Sequence, residues 1–172
     1  MIKIIRKDFL FAFPLIGIII SLSTCQYPDK PHNVILNDSY QLEVPAYMNE
    51  TSELNADAEV QFQNKFRNRY LLVFQSQKQE PFKDFVDQRV QQLLDKVQDS
   101  VISKSTAKKV NGIQAHERVI NAKVGEERIY YKLMFYEGKK HFYQLVVWTR
   151  DDKLAPFKQD MEKIATSFQR KE

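Results

Sequence analysis

The 172-residue chain holds one cysteine, four glycines, three histidines and one tryptophan. A sole cysteine, Cys25, excludes an intrachain disulfide, so the fold must stand on its own apolar core. So few glycines leave no glycine-rich loop to cradle a phosphate, and no serine sits in a Gly-x-Ser-x-Gly elbow. His32, His116 and His141 are isolated in sequence, and a metal site would need them to converge with further donors. Glu117 adjoins His116 but points to the opposite sheet face if both lie in one strand. Glu126-Glu127 reads as a solvated hairpin edge, and Asp151-Asp152 as a helix start, where the macrodipole favours acids. These absences predict no enzyme, no metal and no cofactor.

What the chain does have begins at its N-terminus. Lys3, Arg6 and Lys7 precede an uninterrupted apolar run from Phe9 to Ile20, the pattern of an export signal. The run closes on Leu22-Ser23-Thr24-Cys25, which resembles the lipobox of bacterial lipoproteins, with Thr24 where a smaller residue is usual. That resemblance implies a signal peptide over 1–24 and an acylated Cys25 as the first mature residue, anchored in a bacterial cell envelope. Gln26 in place of Asp favours the outer membrane over the inner. An uncleaved signal anchor remains open, although Phe9 to Thr24 is shorter than the roughly 20 residues a spanning helix needs. So does an ordinary secretory signal that leaves Cys25 a free thiol.

Residues 1–24 carry three of the 26 bases and one of the 22 acids, leaving 23 against 21 in the mature part. Acids and bases alternate there, unlike the clustered basic face of a nucleic-acid binder. Residues 25–33, with two prolines and no apolar period, read as a tether, and residues 34–172 as one domain.

Within that domain Gly112, Gly125 and Gly138 fall 13 residues apart and punctuate strand-like segments. Asn111-Gly112 suits a two-residue type I′ turn, which needs φ > 0 at both positions. The flanking segments, about 105–110, 113–123, 127–136 and 139–150, predict an antiparallel meander. The last two are apolar on both faces: Tyr131, Leu133 and Phe135 against Tyr130, Met134 and Tyr136, then Tyr143, Leu145 and Val147 against Phe142, Val146 and Trp148. Such strands lie mid-sheet under cover on both sides. Two helices are available: one from Pro81 with apolar positions from Phe82 to Val101, and one after Asp151-Asp152 with Phe157, Met161, Ile164, Ala165 and Phe168 inward. Shorter strands are predicted at about 40–44, 58–63 and 69–75. The fold class is α+β, an antiparallel sheet with helices on both faces, an α/β/α sandwich.

Tyr40-Gln-Leu-Glu-Val-Pro45 followed by Tyr47-Met48, the Asn64-Lys-Phe and Arg69-Tyr-Leu-Leu-Val73 pair, and the block from Phe142 to Phe168 are similar to PsbP-like domains. The resemblance spans roughly residues 34–168 and implies the same sandwich and a habit of binding other proteins. Twenty-one aromatic residues exceed what a small sheet must bury. Tyr130, Tyr136, Phe142 and Trp148 are the candidates for an exposed partner-binding patch. The expected function is a lipid-anchored envelope protein that engages a protein partner without catalysis. A carrier that holds a lipid or other apolar ligand between sheet and helix is the alternative.

Overall fold

The computed structural model describes residues 30–37 and 39–171; the export signal, Cys25 and most of the tether lie outside the described residues. An antiparallel sheet organises the domain. In chain order the strands and helices are β1 (His32–Leu36), β2 (Tyr40–Val44), β3 (Asn49–Glu50), β4 (Val60–Asn64), β5 (Arg69–Gln77), α1 (Phe82–Leu94), β6 (Gln98–Ile102), β7 (Thr106–Val110), β8 (Ile113–Val124), β9 (Glu127–Glu137), β10 (His141–Arg150), α2 (Lys158–Ser167) and β11 (Gln169–Arg170). The large sheet runs β3-β4-β5-β10-β9-β8-β6, with β7 also on β8, and β1-β2-β11 form a small second sheet. The protein is α+β.

The meander is present, and its three turns differ in chemistry. Asn111 (φ 48°) and Gly112 (φ 76°) join β7 to β8 with both residues left-handed, and Val110 pairs with Ile113 across them. Gly125 and Glu126 form the next loop, since Val124 pairs with Glu127. Gly138 is needed for space instead: a Cβ there would stand 2.7 Å from the Tyr143 ring and 2.8 Å from the His141 carbonyl oxygen.

β9 and β10 are central strands, as their two apolar faces require. Their alternate residues fall into two separate cores. Leu72, Leu133, Phe135 and Val146 pack with Phe85, Val86 and Val90 of α1. Leu71, Met134, Leu145 and Val147 pack with Met161, Ile164 and Ala165 of α2 and with Leu42 and Val44 of the small sheet. The predicted α2 stripe from Phe157 to Phe168 is fully buried.

Three expectations need correction. The first helix stops at Leu94, and the chain turns into edge strand β6, pairing with β8. Val97 and Val101 match a helical period but are β-branched, and Val101 is 68 % exposed on that edge. The second helix begins six residues later than Asp152; Asp151–Lys153 form only a 3₁₀ turn. His32 and Asn33, read as tether, belong to β1.

Candidate functional site: an aromatic groove beside the first helix

α1 does not cover its whole face of the sheet. Near its start Phe82 and Phe85 lie over Phe142 with ring centroids 5.1 and 4.9 Å apart, and Phe85 meets Phe135 edge-on at 6.1 Å. Trp148 lies six residues further along β10, roughly 20 Å at strand rise, beyond that aromatic cap. There the register sets Tyr70, Trp148 and Tyr131 side by side across β5, β10 and β9. Tyr70 stacks on Trp148 at 5.1 Å and 16°, and Tyr131 lies 6.4 Å away on its other side at 28°. All three rings are half-buried. The indole is held flat between two neighbours and still reaches solvent.

Trp148 and Tyr131 of this ladder floor one end of an open groove of about 590 Å³. Leu93 at the end of α1 forms one wall, and Leu54 in the loop before β4 forms the other. Gln61, buried on the same face, ties that loop down. Its Oε1 accepts from the Leu54 and Asn55 amides at 2.9 and 3.1 Å, and its Nε2 donates to the Asn55 carbonyl at 2.6 Å. Arg89, Lys96 and Asp57 stand at the rim. Burial alone raises the Tyr131 phenol pKa, so the ring stays neutral and acts as an apolar contact with one polar tip.

The four aromatic residues singled out in the sequence do not come together. Tyr136 and Phe142 are buried in opposite cores, 0 and 1 % exposed. Tyr136 stacks on Phe168 at 4.0 Å, and its hydroxyl donates to the Ala165 carbonyl. Tyr130 is half-buried on the α2 side, and only Trp148 reaches the groove. Tyr70 and Tyr131 were missed as partners for Trp148 because the pairing of three distant strands sets their neighbourhood. Cys25 lies outside the described residues.

Polar groups cluster elsewhere. Lys132, 2 % exposed, bonds Glu117 at 2.9 Å and Glu162 at 2.7 Å, and Lys108 bonds the other Glu117 oxygen. Burial pushes the Glu117 carboxyl up, but bonds from Lys108 and Lys132 outweigh it and hold the carboxyl below its usual range. Arg69 bonds Asp160 at 3.2 Å and the Pro156 carbonyl at 3.0 Å, with its guanidinium 4.7 and 4.8 Å from the Tyr47 and Phe157 ring centres. Both clusters fasten α2 to the sheet. Ser105 Oγ lies 3.0 Å from His116 Nδ1, yet no carboxylate bonds that ring among the described residues, and its face meets Phe82. His32 packs on Phe62 and His141 beside Tyr143, far from His116 in the sheets. No group of three or more His, Cys, Asp or Glu is placed to hold a metal among the described residues. Among the described residues the mixed charge has a local exception: Lys139, Lys140, Arg170 and Lys171 border a cleft of about 630 Å³ at the end of the small sheet.

No protein-family profile and no curated protein matches the sequence. Solved structures do. The solution structure of cyanobacterial PsbP (CyanoP) from Synechocystis superposes with a TM-score of 0.64 at 14 % identity, covering 86 % of this chain and 97 % of that one. The fold is PsbP-like. LpqN, involved in cell envelope biogenesis of Mycobacterium tuberculosis, superposes at 0.62 and 12 % identity, covering 84 % of this chain and 87 % of that one. A Pseudomonas aeruginosa protein of unknown function superposes at 0.50 and 13 % identity, covering 77 % and 92 %. At such identities the likeness speaks for the PsbP-like fold, and the expected sheet-and-turn framework agrees with it.

Proposed function

We propose that the chain is a lipid-anchored protein of the bacterial cell envelope that engages a protein partner through the aromatic groove and performs no catalysis. The observation that carries this reading is the half-exposed Tyr70–Trp148–Tyr131 ladder, set across three central strands and left uncovered by α1. A sheet that needed these rings only as core would bury them, as it does Phe135 and Phe142. Flat aromatic rings on a rigid sheet lose little freedom on binding and are the side chains that dominate interface energies. Arg89 and Lys96 outnumber Asp57 on the rim, so the groove suits an apolar side chain flanked by an acidic one. The separate cores beneath α1 and α2 support a three-layer α/β/α sandwich, in which the small sheet extends the α2 layer. An envelope location rests on the export signal and lipobox resemblance ending at Cys25, and the name of LpqN is in keeping with it. The same reading places the anchor in the outer membrane.

The test is cross-linking in intact cells with the full chain, comparing Trp148→Ala and Leu93→Asp with Val101→Asp on the far sheet edge. The reading expects a discrete protein adduct that the first two substitutions remove and the third leaves. A protein adduct unaffected by Trp148→Ala would place binding elsewhere. An extracted chain carrying only a small apolar molecule would favour the carrier.

A further inference from the structure

The hairpin joining β4 to β5 ends in a 3₁₀ turn, Lys65–Arg67, whose central residue Phe66 is 93 % exposed. No other large apolar side chain among the described residues is so bare; Val101 follows at 68 %. The turn is firmly built. Asn64 Oδ1 accepts from the Arg67 amide at 2.9 Å, Asn68 (φ 53°) returns its N–H to the Lys65 carbonyl at 3.2 Å, and Asn64 Nδ2 donates to the Tyr47 carbonyl at 2.7 Å. The ring therefore projects into water from a rigid base. Lys65 and Arg67 flank it, the first bonded to Glu53 at 2.6 Å and the second 5.0 Å from the Tyr47 ring centre.

A single exposed apolar side chain is ordinary on a protein surface. What sets Phe66 apart is its place. The chain enters the domain at His32, whose ring lies 5.3 Å from that of Phe62, four residues before Phe66. His32 pairs with Val44, and Tyr47, three residues beyond Val44, lies beneath Arg67. Entry point and hairpin tip thus share one end of the domain. Cys25 precedes His32 by seven residues, a reach of roughly 25 Å at full extension. The end of the domain that bears Phe66 is therefore the end nearest Cys25 along the chain.

We propose that the Phe66 tip dips into the lipid–water interface of the membrane that holds Cys25, with Lys65 and Arg67 at headgroup level. This rests on the anchor reading above. An apolar ring between two long cationic side chains suits that interface, because the stems lie along apolar surface while the charges stay in the polar layer. The contact would fix which way the domain stands. Tyr70 lies only four residues beyond Phe66, so the aromatic groove would open close to the bilayer surface.

The test places a photoreactive p-benzoylphenylalanine at position 66 of the full chain in its own membranes, with position 101 as reference. Fractionation with an alkaline wash reports separately whether the chain is anchored. The expected result is an anchored chain whose position 66 forms lipid adducts about tenfold more often than position 101, the ratio that 1.4 kcal/mol of preference sets. An anchored chain giving equal yields, or protein adducts alone, would overturn the tip contact and leave the anchor standing. A chain released by the wash would remove the anchor, and the tip contact with it.

Discussion

Lys132→Met tests whether the buried cation network works as a unit. Removing one partner from a buried ion pair typically costs roughly 3–5 kcal/mol, because the other charge is left without compensation. Two features lower that figure here. The Glu162 side chain is 49 % exposed and can rehydrate, and Glu117 keeps its bond to Lys108. Methionine also fills the space of the lysine stem, so the expected loss is about 1–2 kcal/mol. With a urea slope of roughly 2 kcal/mol per molar, the midpoint falls by about 0.5–1 M. The double variant with Lys108→Met leaves the half-buried Glu117 without a cation, and its loss should exceed the sum of the two single losses. The pH dependence has a definite sign. Glu117 titrates below its ordinary 4.5, so its contribution is present above that value and fades as pH falls below it. Burial pulls the Lys132 pKa down, but the hydrogen bonds it donates to Glu162 and Glu117 leave it above 10.5, so its contribution is complete below 10.5 and fades as pH rises through the raised value. The gap between wild type and Lys132→Met should therefore be widest between about pH 5 and 10. Urea unfolding of the four proteins across pH checks this. A gap that stays constant to pH 3, or a strictly additive double variant, would refute the reasoning.

Other residues give sharper local outcomes. Gly138→Ala should cost about 1–3 kcal/mol, since the new Cβ meets the His141 backbone oxygen at 2.8 Å as well as the Tyr143 ring. Gly125→Ala meets open space and should show only the milder strain of a positive φ; thermal unfolding ranks the two. Asn111→Gly keeps the left-handed turn but loses both side-chain bonds, at 2.9 Å each, to the Thr166 and Phe168 carbonyls. It should cost about 1–2 kcal/mol and speed amide exchange at the end of α2.

Much of the framework was legible because local chemistry dictated it. Asn111-Gly112 demanded a primed turn, and the doubly apolar Ile129–Tyr136 and Phe142–Trp148 segments demanded central strands. The α2 stripe had one apolar face and nowhere else to put it. The failures share a cause. Val97 and Val101 continue the α1 period numerically, and only pairing with β8 makes Gln98–Ile102 a strand. β1 shows little apolar alternation, and its strand character comes from pairing with β2. The site was half legible for the same reason. Trp148 was one of four aromatic residues singled out for an exposed patch, but Tyr70 and Tyr131 became its neighbours through the register of three strands. Phe66 passed as one more apolar residue because exposure at a hairpin tip cannot be read from composition.

An anchored domain that binds a protein through the Trp148 groove must be extracted with that protein still attached. Native mass spectrometry of the wild-type chain and Trp148→Ala, each extracted from its own membranes in mild detergent, tests it most directly. The prediction is a wild-type mass of residues 25–172 plus acyl chains plus a protein partner, with the partner lost in the variant through a weakening of roughly 2–4 kcal/mol. A partner retained by Trp148→Ala, or a wild-type chain carrying only a small apolar molecule, would contradict it.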